Sequence, residues 1–261
     1  MKLFIKNRLL SLLLVLTLIP SLSMAKYSTE QLINIAGVQR MLSQKIAKAY
    51  FFYAQGVRPE KTRKQLFGSI ELFNKNYTIL HRELHNNKDI QYLLTFIEMS
   101  KDELLLLSKT PFNTENGALM LDYSETLLEA SHDIVKRIEI LTNKKTAKIV
   151  NLAGRQRMLT QRIAKFYIAY QAGFKDVNTV NQLKKSVKEF EQAHLILTKY
   201  GKNTVKTRNL LNKVARLWNV VDKFYSDVER GGLPVIVLSS TDKIMGLMNQ
   251  VTKIYVQLEL K

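Results

Sequence analysis

The sequence contains no cysteine, which excludes disulfides, thiolate metal ligands and cysteine nucleophiles. Only 4 prolines and 10 glycines interrupt its 261 residues, so long helices can run unbroken. Apolar residues recur at spacings of three and four, and no segment alternates like a β-strand. The sequence therefore predicts an all-α protein whose core is held by packing alone.

Residues 1–25 have the pattern of a secretory signal. Three cations precede an apolar run over 9–19, and Pro20 and small residues lead to Ala25, after which we expect cleavage. An uncleaved anchor in the inner membrane is the alternative, although the uncharged stretch is shorter than the about 20 residues that a spanning helix needs. No later apolar run approaches that length. We therefore expect a periplasmic protein.

The formal net charge is +18. In a cytosolic protein such a charge would favour nucleic-acid binding, but the expected export argues against that partner. A basic exported chain instead attracts small anions or an anionic membrane surface.

The chain aligns with itself at a shift of 117 residues without a gap from Asn34 to Lys144, which indicates a duplication. We predict two tandem up-down four-helix bundles, over 26–143 and 144–261. The predicted helices of the first copy span 28–56, 61–85, 88–109 and 118–143, with equivalents 117 residues on. Residues 143–145 contain no Gly or Pro, so the fourth helix is expected to continue into the fifth.

The first helix of each copy carries the shared motif Asn-x-Ala-Gly-x-Gln-Arg-Met-Leu-x-Gln. The copies match at 14 of 23 positions over 34–56 but at only 14 of 88 over 57–144. Something beyond bundle formation therefore keeps this helix constant.

A helical wheel divides the first motif helix into two faces. One is an apolar stripe expected to face its own bundle: Leu32, Ile35, Leu42, Ile46, Ala49 and Tyr53. The opposite face repeats almost unchanged in the second copy and should therefore contact something outside its own bundle. It holds Gly37, Arg40, Met41, Gln44 and Lys48, with Asn34 and Lys45 at its edge.

Gly37 and Gly154 indicate a close contact, since mid-helix glycine costs about 0.5–1 kcal/mol relative to alanine and is used where another group approaches closely. Arg40 and Arg157 lie one turn further on, and an enclosed arginine needs a carboxylate or a bound anion against it. The motif contains no acid. A small planar oxyanion would suit two guanidinium groups, one from each copy.

These motif segments resemble the conserved helix of the NarX-like and PilJ-like periplasmic sensing domain, found in nitrate/nitrite sensor kinases and in type IV pilus chemotaxis transducers. In the nitrate sensors, the helix comes from each subunit of a homodimer and nitrate lies between facing arginines. The resemblance implies ligand contacts at Gly37, Arg40, Lys45, Gly154, Arg157 and Arg162. The retained face of the helical wheel adds a supporting interface at Asn34, Met41, Gln44, Lys48, Asn151, Met158, Gln161 and Lys165.

Two departures separate this chain from the nitrate sensors. Lys45 stands where they have arginine, and the motif wording is closer to the PilJ-like branch, whose ligand the sequence does not name. No transmembrane helix, kinase or methyl-accepting coiled coil follows the second copy, so we expect output through a membrane sensor kinase or chemotaxis transducer. Duplication is expected to bring both motif helices together in one chain, with homodimerisation as the alternative.

Other interpretations remain open at this stage. The motif face could be a packing seam with Arg40 and Lys48 solvated, or the protein interface of a non-catalytic adaptor for a chemotaxis, pilus or sensor-kinase system. His81 and His85 have a metal-binding spacing, but their counterparts are Thr198 and Lys202, so we expect no metal. No catalytic residue set recurs in both copies, so we expect neither an enzyme nor a cofactor.

Overall fold

The computed structural model of the protein describes residues 27–142 and 145–259. The predicted signal peptide, its cleavage after Ala25 and the predicted helix continuation at 143–144 lie outside these residues. The described parts are helical apart from short connections and contain no strand, so the predicted all-α class is confirmed.

Each copy contributes four α-helices. The first copy has α1 (Thr29–Ala54), α2 (Pro59–Glu83), α3 (Lys88–Lys109) and α4 (Thr114–Thr142). The second copy has α5 (Lys145–Gln171), α6 (Val177–Thr198), α7 (Val205–Ser226) and α8 (Pro234–Glu259). A short 3-10 turn, Val228–Arg230, precedes α8.

Local sequence signals explain several helix starts. Ser28 caps α1 in a capping box, in which its hydroxyl accepts from the Gln31 amide and the Gln31 side chain accepts from the Ser28 amide. Asn87, Asp176 and Thr204 cap α3, α6 and α7 in the same side-chain-to-backbone manner. These four polar residues therefore set where α1, α3, α6 and α7 begin.

The four helices of each copy pack as a bundle, and the two bundles meet along their motif helices. Helix α1 packs on α2 and α4, helix α5 packs on α6 and α8, and the most extensive contact in the chain is between α1 and α5. The two motif helices thus lie side by side at the centre of one chain. The duplication brings them together as expected.

The sequence prediction of the core was partly wrong. Leu32, Leu42 and Ile46 are buried as predicted, whereas Ile35 is half-buried and Tyr53 is 42% exposed. The predicted outer face is buried as well, because α1 is covered by its own bundle on one side and by α5 on the other.

Gln39 lies on the same side of α1 as the apolar stripe and has a specific role. Gln39 donates from Nε2 to the Phe73 carbonyl of α2 at 3.2 Å. Its equivalent Gln156 donates in the same way to Phe190 of α6 at 2.6 Å. Each motif helix is therefore fastened to the second helix of its own bundle by the same buried hydrogen bond. Within the described ranges, no helix is both long and apolar enough to cross a membrane.

Candidate anion-binding site

Arg40 and Arg157 meet at the centre of the α1–α5 contact, and both are almost completely buried, with 0% and 1% of their surface exposed. Each arginine bridges the two bundles. Arg40 donates from Nη2 to Asn151 Oδ1 of the other copy at 2.6 Å, and Arg157 donates from Nη2 to Asn34 Oδ1 at 2.9 Å. The two bonds are equivalent in the repeat, so the site has a local two-fold arrangement.

The second contact of each arginine lies within its own bundle. Arg40 Nη1 lies 3.1 Å from Nδ1 of His132 on α4, and Arg157 Nη1 donates to Asn249 Oδ1 on α8 at 2.9 Å. Burial, followed by the nearby Arg40 charge, lowers the pKa of His132 to about 4, so this imidazole is a neutral acceptor at neutral pH. All four hydrogen-bond partners that the described residues supply to the arginine pair are therefore uncharged.

The two motif glycines lie directly beside the guanidinium groups. A Cβ atom added to Gly37 would lie 3.5 Å from Nη2 of both Arg40 and Arg157, and one added to Gly154 would lie 3.5 Å and 3.3 Å from the same two atoms. Both guanidinium groups thus converge on the same surface of glycine backbone. The motif glycines therefore lie in van der Waals range of both arginine side chains.

The electrostatics of the arginine pair are unfavourable within the described residues. Neither arginine forms a salt bridge there, and neither Nε has a hydrogen-bond partner. Burial and then the Arg157 charge lower the pKa of Arg40 to about 9, and burial lowers that of Arg157 to about 10. The Glu139 charge acts in the other direction and raises the pKa of Arg40. Glu139 also accepts a hydrogen bond from the Asn151 side chain at 2.9 Å. The site therefore holds two buried positive charges with unused donors.

A second pair of contacts lies further along the motif helices and crosses between the bundles. Lys48 of α1 pairs with Asp242 of α8 at 2.8 Å, and Lys165 of α5 pairs with Glu125 of α4 at 2.6 Å. Both lysines are completely buried. Since 48 and 165, like 125 and 242, are 117 apart, the two cross-bundle ion pairs are reciprocal. Arg40 and Lys48 are thus buried. The alternative of a packing seam is therefore wrong in expecting these two residues to be solvated, although the motif helices do pack bundle on bundle.

The structure does not bring Lys45 and Arg162 to the arginine pair. They lie five residues beyond it, about 7.5 Å along each helix. Arg162 forms a two-point ion pair with Glu125 and also donates to Gln182 at 2.8 Å. Lys45 is only half-buried, and its pKa falls to about 8 because of burial and then the Lys48 charge. The two residues belong to the environment of the cross-bundle ion pairs.

We call the contact between α1 and α5 the seam. The remaining motif residues either pack within the seam or form hydrogen bonds to neighbouring helices. Met41 and Met158 are each 6% exposed and add apolar packing. Gln44 donates to the Ser124 carbonyl of α4 at 2.8 Å. Its counterpart Gln161 is fully buried and finds no hydrogen-bond partner for either amide atom among the described residues. The two halves of the seam are thus similar but not identical.

Sequence reasoning missed the residues that the last helices contribute. His132 and Asn249 occupy equivalent positions, as do Glu125 and Asp242. Comparison of the two copies could have identified Glu125 and Asp242, because both copies have an acid at this position. The same comparison could not have identified His132 and Asn249, since these two side chains share only the capacity to accept a hydrogen bond.

Two helical bundles joined along a duplicated glycine and arginine helix, with charged donors enclosed between them, define an all-α domain with a polar centre. Comparison with known families agrees. The family model described as type IV pili methyl-accepting chemotaxis transducer N-term, PilJ, matches residues 22–87 and 141–244. The chain belongs to this family of non-catalytic sensory domains, and each matched segment contains one motif helix. No curated protein and no solved structure shows a significant match.

Proposed function

We propose that the chain is a periplasmic sensory module that captures a small planar oxyanion, nitrate or nitrite, between Arg40 and Arg157. The observation that carries the proposal is the burial of two adjacent guanidinium groups whose direct partners are all neutral. A buried charge without a counter-charge costs several kcal/mol, and a bound anion removes that cost. The unused Nε donors supply the fork geometry that a planar oxyanion accepts.

Binding at this position is suited to signalling because the site belongs to both bundles at once. Each arginine is held by an asparagine of the other copy, so neutralising the arginine pair changes the forces between α1 and α5. Occupancy thereby alters how the bundles pack. A chemotaxis transducer or sensor kinase in the membrane would detect that change.

The adaptor hypothesis requires the motif face to be exposed. The motif face is enclosed by α5 and the helices of its own bundle, so it is not exposed to a protein partner in this conformation. A partner would have to contact the outer surfaces of the bundles instead.

Isothermal titration calorimetry with nitrate, nitrite and chloride tests the proposal. We expect saturable binding of an oxyanion, and we expect Arg40→Lys and Arg157→Lys each to weaken it about tenfold or more, because each removes a planar fork but keeps the charge. Arg63→Lys is the matched control, since it makes the same charge-preserving change at an exposed position of α2. It should change affinity far less.

The absence of saturable heat for both oxyanions would refute the proposal. Equal affinity in the wild type and the two lysine variants would also refute it, provided that circular dichroism shows the variants to be folded. Both lysine substitutions preserve the positive charge, so an unfolded variant is not the expected outcome.

A further inference from the structure

The outermost helix of each bundle is the third one. Helix α3 packs mainly on α4 and also on α2, and α7 packs mainly on α8 and also on α6, so both lie across their bundles from the motif helices. Their outward faces therefore lie on opposite sides of the contact between α1 and α5. Because the two copies are related by the repeat, these faces can be compared position by position.

The outer face of the first bundle exposes large apolar side chains. Tyr92, Phe96 and Met99 lie one turn apart on α3 and are 78%, 44% and 70% exposed. A row of exposed aromatic and methionine side chains on a folded bundle is unusual and marks an interaction surface. Exposed acids surround the row: Glu98, Asp102 and Glu103 on α3, and Glu129 and Asp133 on α4. We call these eight residues the acidic ridge.

The outer face of the second bundle has the opposite character. A groove of about 470 Å³ runs between α7 and α8, with Leu217, Gly246 and Leu247 among its lining residues. Exposed cations also line it: Lys213 and Arg216 on α7, and Lys243 on α8. We call these six residues the basic groove. The segment 205–216 of α7 carries four cations and no acid.

The ridge and the groove occupy equivalent positions in the repeat but differ in sign and shape. Phe96 corresponds to Lys213, Met99 to Arg216, and Glu129 to Gly246. The ridge residues include five acids, whereas the groove residues include three cations and no acid, and the groove lies where Gly246 replaces the larger Glu129. Such complementarity between two surfaces of one chain steers association between copies of that chain.

We propose that the acidic ridge of one molecule docks into the basic groove of a second molecule of the same protein. Asp102 and Asp133 pair with Lys101 and Lys136 of their own molecule at 2.9 and 3.7 Å. In the contact, Phe96 and Met99 enter the groove beside Leu217 and Leu247, and Glu103 and Glu129 pair with its cations. The contact joins different surfaces, so it is a head-to-tail contact that either closes into a ring or extends into a chain. It leaves the motif seam within each molecule undisturbed and does not depend on anion binding.

Charge reversal tests this contact. The groove variant carries Lys213→Glu and Arg216→Glu, and the ridge variant carries Glu103→Lys and Glu129→Lys. Sedimentation velocity over a concentration series should show self-association of the wild type. Each variant alone should associate on the order of a hundredfold more weakly, because its ridge and groove then have the same sign.

Mixing the two variants should restore association, because the acidic surfaces of one variant then meet the basic surfaces of the other. This recovery excludes misfolding as the cause of the loss. Lys64→Glu with Lys75→Glu is the matched control for the groove variant, since it makes the same change in net charge at exposed positions of α2. The control should self-associate like the wild type.

A wild type that stays monomeric at every concentration would overturn the proposal, as would association that the groove and ridge variants leave unchanged. A monomer that binds phosphatidylglycerol vesicles through Lys213 and Arg216 would also overturn it, because the groove would then be a membrane surface. Association that is lost in both variants and returns in their mixture would support it.

Discussion

Removing one carboxylate from a cross-bundle ion pair should destabilise the protein far more than removing an exposed one. Asp242→Asn leaves the buried Lys48 amine without its counter-charge, with Lys61 also nearby at 2.6 Å from the same carboxylate. The substitution hardly changes side-chain volume, so the effect is electrostatic. Asp102→Asn is the control, because Asp102 also pairs with a lysine but its side chain is 68% exposed.

Two independent considerations give the size of the loss in stability that Asp242→Asn should cause. Breaking a buried ion pair by removing one partner costs about 3–5 kcal/mol. The Asp242 pKa of about 2, lowered by its lysine and glutamine neighbours from 3.8 despite burial, corresponds to about 2 kcal/mol in favour of the charged carboxylate. We therefore expect the free energy of unfolding to fall by about 3 kcal/mol, and Tm by about 6–12 °C for a chain of this size. The control should lose about 0.5 kcal/mol or less.

Urea unfolding followed by circular dichroism measures both variants. The further change Lys48→Met removes the stranded amine, so Lys48→Met with Asp242→Asn should be more stable than the sum of the two single losses predicts. If Asp242→Asn were no more destabilising than Asp102→Asn, the cross-bundle ion pair would not contribute to holding the bundles together. That result would refute our description of the seam.

Two further predictions follow from the same seam. Gly37→Ala should raise the free energy of unfolding by about 0.5–1 kcal/mol through helix propensity but weaken oxyanion binding, because the new methyl group lies 3.5 Å from both arginine side chains. Gly68→Ala on α2, with nothing within 4 Å of the added carbon, should stabilise equally and leave binding unchanged in calorimetry; equal binding in both variants would contradict this. Lysine and arginine neighbours, outweighing burial, lower the pKa of Glu125 from 4.5 to about 2. Its contribution to stability is therefore complete above about pH 4.5 and lost as the pH falls towards 2. The difference between the wild type and Glu125→Gln in urea midpoint should shrink over that range, and a difference that persists at pH 2 would contradict the assignment.

The helical architecture was predictable from the sequence because the breaks are strong and the repeat supplies each boundary twice. Helices α3 and α7 begin and end at the predicted residues. The start of α4 was placed too late, because Gly117 looked like a breaker but lies within the first turn of a helix that begins at Thr114. It is buried, and an added Cβ would lie 2.6 Å from the Phe174 ring of the other bundle. Glycine is required there for contact between bundles, and a single sequence does not distinguish that need from a helix end.

The candidate site was predictable only for the residues that the repeat retains. Gly37, Arg40 and their equivalents come together as the motif predicted, because both lie on the face shared by α1 and α5. Lys45 and Arg162 do not join the arginine pair. Each lies five residues after its arginine, and at 100° per residue this step rotates the side chain by about 140° around the helix. Their direction is then set by the acids of α4 and α8, which local sequence does not reveal.

The chain itself shows that the fold does not require the direct partners of the arginine pair to be neutral. On the same two helices, two turns beyond each arginine, Lys48 and Lys165 are equally buried and each has a carboxylate from the opposite bundle. The last helices that supply those acids also reach the arginine pair, but there they contribute His132 and Asn249. Such positions could carry acids just as the lysine positions do, and an acid would compensate each arginine permanently. Neutral acceptors instead orient the guanidinium groups and leave their charge available, as a site for an exchangeable anion requires.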